Sequence, residues 1–244
     1  MPIRPSPDPA PGGAWTIVVP FKGGAAAKSR LGLATKEGPG FSPGMRHEIA
    51  MAFLRDTVTA ALAVPGVANI VVVSSDPALV TAVPGIVLVA DPGRGLNAAA
   101  AAGISWARRQ EPNRAVAVLT GDLPCLAPRD LAAALEAARH HPLSVVPDRH
   151  GTGTTMVSAL PGTELIPRFG PHSYDAHLRA GHTVLPVPAG STVRHDVDTL
   201  HDLARALQHG VGGHTRAALP PSWPRPHAGH RAGSRRSFAA AAAG

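Results

Sequence analysis

Three aspartates at two places in the chain have the types and spacing to hold a cation. Asp122 sits in Gly121-Asp122-Leu123-Pro124, directly after the apolar run 114–120. An aspartate at the end of a central strand projects into the crevice where open α/β sheets bind ligands, although it can equally cap the turn that follows. Asp196 and Asp198 are separated by one residue in His195-Asp196-Val197-Asp198-Thr199. On an extended segment, alternate side chains share one side. Two close carboxylates repel unless a cation or a proton lies between them. Magnesium suits such a set, since it takes few protein carboxylates and completes its shell with phosphate oxygens and water. The same stretch offers Asp198 or Thr199 as cap of a final helix, and the two roles are compatible.

The matching positive charge lies near the start. The chain has three lysines among 23 basic residues, and Lys22 and Lys28 flank one glycine-containing loop, Lys22-Gly23-Gly24-Ala25-Ala26-Ala27-Lys28-Ser29-Arg30. Lysine offers a compact, rotatable point charge for phosphate. Glycines let the backbone approach an anion and form a nest of N–H groups. The loop is neither a P-loop nor a dinucleotide fingerprint, and its plainer explanation is a turn with surface lysines. Two further segments offer uncharged donors. Asp148-Arg149-His150-Gly151-Thr152-Gly153-Thr154-Thr155 presents hydroxyls and open backbone. In Arg168-Phe169-Gly170-Pro171-His172-Ser173 a loop meets a helix start, which favours anions. Together they suggest a second anion pocket, apart from the lysine loop.

These residues need a scaffold that brings their loops to one edge. Apolar runs at 14–21, 69–74, 86–90, 114–120 and 143–147 read as buried strands. Between them lie helical patterns at 43–63, from Asp76, at 97–109 and at 128–139, the first opened by Ser42-Pro43. Alternation of strand and helix means βαβ units, a largely parallel sheet and helices on both faces. After 148 the rhythm changes: strands are expected at 154–160 and 183–187, with helices at 172–179 and from Thr199 to about 208. The fold class is therefore α/β and Rossmann-like.

Composition bounds the rest. A length of 244 residues suits one domain. The proline-rich segment 1–13 reads as a disordered leader, 14–209 as the domain, and 210–244 as a disordered Gly/Pro/His/Arg-rich tail. Five arginines and no acid lie in that tail, so removing it leaves 18 basic and 16 acidic residues out of the 23 and 16 of the whole chain. The formal charge of +7 is thus largely the tail's, and nucleic-acid binding is not the expectation for the body. No apolar run of about 18 residues predicts a membrane span. Cys125, the single cysteine, reads as a buried small hydrophobe and fits a cytoplasmic setting. The 13 histidines show no zinc spacing, and they read as surface residues.

Taken in order, the motifs resemble one family, the 2-phospholactate or phosphoenolpyruvate guanylyltransferases of deazaflavin coenzyme (F-420) biosynthesis. The matching pieces are Val19-Pro-Phe-Lys22 with Ala27-Lys-Ser-Arg-Leu31, Leu96-Asn97, Gly121-Asp-Leu-Pro124, Asp148-Arg149 with Gly151-Thr-Gly-Thr154, Arg168-Phe-Gly-Pro171 with Ser173, and Asp196-Val-Asp-Thr199. The resemblance spans about 14–210 and implies a single-domain, nucleotide-diphospho-sugar transferase-like fold with a mixed, mostly parallel sheet of about seven strands. It implies GTP as donor and a three-carbon phospho-acid as acceptor: phosphoenolpyruvate in bacteria, 2-phospholactate in archaea. The resemblance makes Asp122, Asp196 and Asp198 the ligands of Mg2+ and, with Lys28, the catalytic residues. Thr154, Gly170 and Ser173 match the positions that hold the phospho-acid, Lys22 and Lys28 match the triphosphate loop, and Asn97 faces the nucleoside. The downstream transferase of the same pathway is an implied partner. Gly23-Gly24, Thr155-Met156, Pro161-Gly162, and His172 and Tyr174 around Ser173 depart from the family pattern. The GC-rich style of composition favours the bacterial acceptor.

The implied reaction is attack of an acceptor phosphate oxygen on the α-phosphorus of GTP. 3-Phosphoglycerate is a further acceptor to weigh. A transferase for molybdenum cofactor or a sugar phosphate is a poorer match, because its Gly-Gly-x-x-x-Arg loop is absent: the arginine lies six positions past Gly24. An inactive nucleotide-binding scaffold has no need of the three aspartates.

Overall fold

The computed structural model describes residues 14–23, 28–36, 38, 40–221 and 223. The expected leader, the end of the tail and the Gly24–Ala27 part of the lysine loop lie outside these residues.

Seven strands form one sheet in the order β3-β2-β1-β4-β6-β5-β7. They are β1 (Trp15–Pro20), β2 (Val67–Ser74), β3 (Val87–Ala90), β4 (Ala115–Leu119), β5 (Leu143–Pro147), β6 (Thr154–Ala159) and β7 (Thr183–Val184). β1 pairs in parallel with β2 and β4, β2 with β3, and β5 with β7. Only β6 runs the other way, between β4 and β5. Strand order reverses between β1 and β4. That switch point opens a crevice at the carboxyl ends of both strands. The reversed β6 begins where β4 ends, so Thr154 joins the same edge.

Helices cover both faces, as the continuous apolar strands require. α1 (Pro43–Leu62) and α4 (Pro128–Ala138) pack on the face of Trp15, Ile17 and Val19, and α3 (Leu96–Gln110) on that of Val18. Gly103 of α3 lies so close to the sheet that a Cβ there would meet Val18 Cγ1 at 2.3 Å. Small residues let this helix approach the strands closely. α2 (Leu79–Ala82) is a single turn. α5 (Ser173–Arg179) and α6 (Leu200–His209) follow the change of rhythm after β5. The strand expected over 183–187 stops at Val184, since Pro186 and Pro188 cannot donate to a ladder. Among the described residues no helix is long and apolar enough to cross a membrane.

The domain does not end at 209. α7 (Gly213–Ala218) folds back on α1, and Trp223 stacks at 4.7 Å on Phe41. This corrects the disordered reading of the first part of the tail. The clamp is Asp56 of α1, a buried carboxylate that accepts from His214 N–H at 3.0 Å and Thr215 N–H at 2.8 Å. It satisfies the free donors at the start of α7. Asp56→Ala is expected to cost about 1–3 kcal/mol by leaving those donors unpaired, a shift read by urea denaturation, with turnover per folded molecule unchanged.

Candidate active site

The crevice at the switch point encloses about 760 Å3. Its floor is the segment after β4 together with the Asp196–Asp198 stretch. Val197 N–H donates to the Asp122 carbonyl at 3.1 Å and joins the two. Val197 is fully buried in the cluster of α1 and α6, so alternation turns both flanking aspartates to the crevice. Thr199 and Asp202 form a reciprocal capping box at the start of α6, and Asp202 also accepts from the Asp198 N–H at 3.3 Å. Thr199 is thus the cap, and the Asp198 carboxylate is left for the site.

Lys28 lies between the acids. Its Nζ donates to Asp122 Oδ2 and to Asp198 Oδ1, the latter at 2.6 Å. Burial opposes the ammonium charge, but Asp122 and Asp198 outweigh it and raise the Lys28 pKa. Burial, then the charges of Asp122 and Asp198, push the Asp196 carboxyl up to about 8, against the pull of Lys28. Asp198 has the opposite balance: burial is offset by Lys28 and Arg30, and its pKa falls. Lys22 and Arg30 also line this end.

The other end is polar but carries little charge. Thr152, Gly153 and Thr154 come from the turn into β6, and Gly170 to Ser173 from the loop before α5. Asp148 closes the turn by accepting the Thr152 N–H at 2.9 Å, and a Cβ on Gly153 would meet Asp148 Oδ2 at 2.6 Å. Among the described residues, Lys28 (φ 50°) and His172 (φ 57°) are the two non-glycine residues with positive φ, and both line the crevice. Such backbone conformations cluster at functional sites.

Of the residues expected from sequence, Lys22, Lys28, Asp122, Thr154, Gly170, Ser173, Asp196 and Asp198 line this one crevice. Asn97 does not. Its amide accepts the Phe169 N–H at 2.7 Å and donates to the Phe169 carbonyl at 2.9 Å, which secures the 168–173 loop to α3. Leu96, its neighbour, lines the crevice instead. The histidines also differ from expectation: His177, His182 and His195 are buried. Polar residues are buried when their hydrogen bonds are met, and His177 meets two through its ring. Cys125 is buried as expected, with its thiol pushed up to about 12, by burial first and then by Asp56.

The donor set suits a hard divalent cation. All three acids present carboxylate oxygens, and Asp122 Oδ1 is buried with no partner. Among the described residues no three such side chains already converge on one point, because Lys28 stands between Asp122 and Asp198. The arrangement brings cationic groups, acidic groups and a cradle of hydroxyls and open backbone into one crevice, as joining two phosphate-bearing molecules requires.

Comparison with known proteins agrees with that geometry. The chain is 44% identical over 206 residues to a phosphoenolpyruvate guanylyltransferase of Streptomyces coelicolor, covering 83% of this chain and 94% of that one. It is 45% identical over 207 residues to the protein of the same name from Streptomyces avermitilis, covering 84% and 93%. In structure it is similar to a protein from Desulfovibrio desulfuricans G20 assigned to the nucleotide-diphospho-sugar transferases, with a TM-score of 0.60 at 18% identity over 80% of this chain and 87% of that one. A nucleotidyl transferase from Methanothermobacter gives a TM-score of 0.52 at 18% identity, over 81% and 98%. These two likenesses show the fold as nucleotide-diphospho-sugar transferase-like. Residues 15–220 match the family described as "Guanylyl transferase CofC like", and the chain belongs to that family.

Proposed function

We propose that this nucleotidyltransferase joins GMP from GTP to phosphoenolpyruvate, giving enolpyruvyl-diphospho-guanosine and pyrophosphate, a step in coenzyme F-420 biosynthesis. The observation that carries it is a single crevice with two unlike ends, one of lysines and aspartates, the other of hydroxyls and open backbone. The choice of guanine and of phosphoenolpyruvate follows the names of relatives at 44–45% identity.

An acceptor phosphate oxygen attacks the α-phosphorus of GTP. The new P–O bond forms as the bond to the bridging oxygen of the β-phosphate breaks, and the electron pair leaves with pyrophosphate. The acceptor is already an anion, so no general base is needed. Thr154, Ser173 and the backbone about Gly170 orient it. Lys22 and Lys28 meet the triphosphate and favour departure of pyrophosphate. Asp122, Asp196 and Asp198 would hold magnesium, which when bound supplies charge screening between the two polyanions and stabilises the transferring group. A cytoplasmic setting and hand-over of the product to the next transferase belong to the same proposal.

A pyrophosphate-release assay with magnesium tests this. GTP, ATP and CTP are each offered with phosphoenolpyruvate, 2-phospho-L-lactate and 3-phosphoglycerate. GTP with phosphoenolpyruvate is expected to be fastest. Nucleotide binding with no release under any pairing would make the chain a scaffold and overturn the proposal.

A further inference from the structure

We infer that His177 is a positioning residue that sets the acceptor end of the crevice, holding the Thr154 hydroxyl as a donor towards the bound phospho-acid and tying the 168–173 loop beside it. This rests on the reading of that end as the acceptor site.

His177 is fully buried on α5, one turn past Ser173. Its two ring nitrogens reach two different elements. Nε2 accepts the Arg168 N–H at 3.0 Å, at the start of the loop that carries Gly170 and Ser173. Nδ1 lies 3.1 Å from Thr154 Oγ1, on the first residue of β6. A backbone N–H can only donate, so Nε2 has a lone pair and, in the neutral ring, the proton sits on Nδ1. Burial, with the charges of His182 and Arg168, lowers the His177 pKa to about 4 and keeps the ring neutral. The Ser173 carbonyl is also within reach of the ring and favours a protonated nitrogen there.

The consequence falls on Thr154. A protonated Nδ1 cannot accept from its hydroxyl. Thr154 therefore keeps its own O–H for the crevice, where an anionic acceptor takes it. The ring is held in turn by Phe169, edge-on at 5.5 Å, and His182, edge-on at 5.0 Å, whose Nδ1 bonds the His177 carbonyl at 3.0 Å. One imidazole thus fixes the direction of a hydroxyl and the position of the loop opposite it.

Steady-state kinetics on the full chain test the inference. His177→Phe is expected to raise the KM for phosphoenolpyruvate about tenfold, the size of one lost hydrogen bond, with the KM for GTP changed by less than about twofold. His177→Asn, whose amide N–H can stand near Nδ1, should recover part of that loss. Equal rises in both KM values, or no recovery with asparagine, would overturn the inference. A second readout needs neither turnover nor a variant: nitrogen-15 NMR of the wild-type imidazoles should show His177 as the Nδ1–H tautomer. An Nε2–H tautomer sinks the inference even if phosphoenolpyruvate is the acceptor. An Nδ1–H tautomer in a protein that ignores phosphoenolpyruvate removes the acceptor reading and overturns the inference with it.

Discussion

Replacing Asp198 with alanine is expected to lower pyrophosphate release about 100-fold or more while the protein stays folded. The carboxylate is charged near neutral pH, because Lys28 and Arg30 outweigh its burial and depress its pKa. It faces the crevice beside Lys28 at 2.6 Å, where two polyanions must meet. The fold does not depend on it. Its side chain is 48% exposed, and Thr199 and Asp202 supply the cap of α6. Lys28 keeps Asp122 as a partner in the variant. The pair is half-exposed on the Asp198 side, so its loss is expected to cost about 1 kcal/mol, and the melting temperature should move by only a few degrees. The check is pyrophosphate release beside thermal denaturation of the same sample. Turnover near that of the wild type would take Asp198 out of the mechanism.

The aspartates were legible because their position follows from local rules. A strand end at a switch point aims Asp122 into the crevice, and alternation about a buried Val197 aims Asp196 and Asp198 the same way. What the sequence hides are contacts made far along the chain. Residues 210–218 show no periodicity, yet 213–218 form a helix because Asp56, 158 positions before His214, caps it. Asn97 reads as a ligand-facing amide. Its partner is instead the main chain of Phe169, 72 positions later, and such pairing has no sequence signature. His177 fails for the same reason: histidine is intermediate in burial, and its hydrogen bonds to the Arg168 N–H and the Thr154 hydroxyl help make its full burial tolerable. The lysine pair was visible from its scarcity and its glycines. That Lys28 would stand between two carboxylates was not, since the expectation assigned it to phosphate.

That placement makes Lys28→Met the second variant with a large expected effect. Methionine keeps a long apolar stem and is not β-branched, so it is a mild replacement at the left-handed φ of 50°. It removes the one ammonium that bonds both Asp122 and Asp198. Turnover should fall about 100-fold or more, since the charge that meets the triphosphate is gone. The ligand-free variant then holds Asp122, Asp196 and Asp198 against one another, with Arg30 still acting on Asp198. Magnesium offered to the wild type competes with the Lys28 ammonium for the same oxygens, whereas in the variant it does not. An ion at about 100 times its Kd stabilises a protein by about 2.7 kcal/mol, or about 5–10 °C for a domain of this size. The variant should show that shift, and the wild type a smaller one. Thermal denaturation with and without magnesium measures the difference. Equal magnesium shifts in the two proteins would mean that Lys28 and the cation do not share the aspartates, and the lysine would then act on phosphate alone.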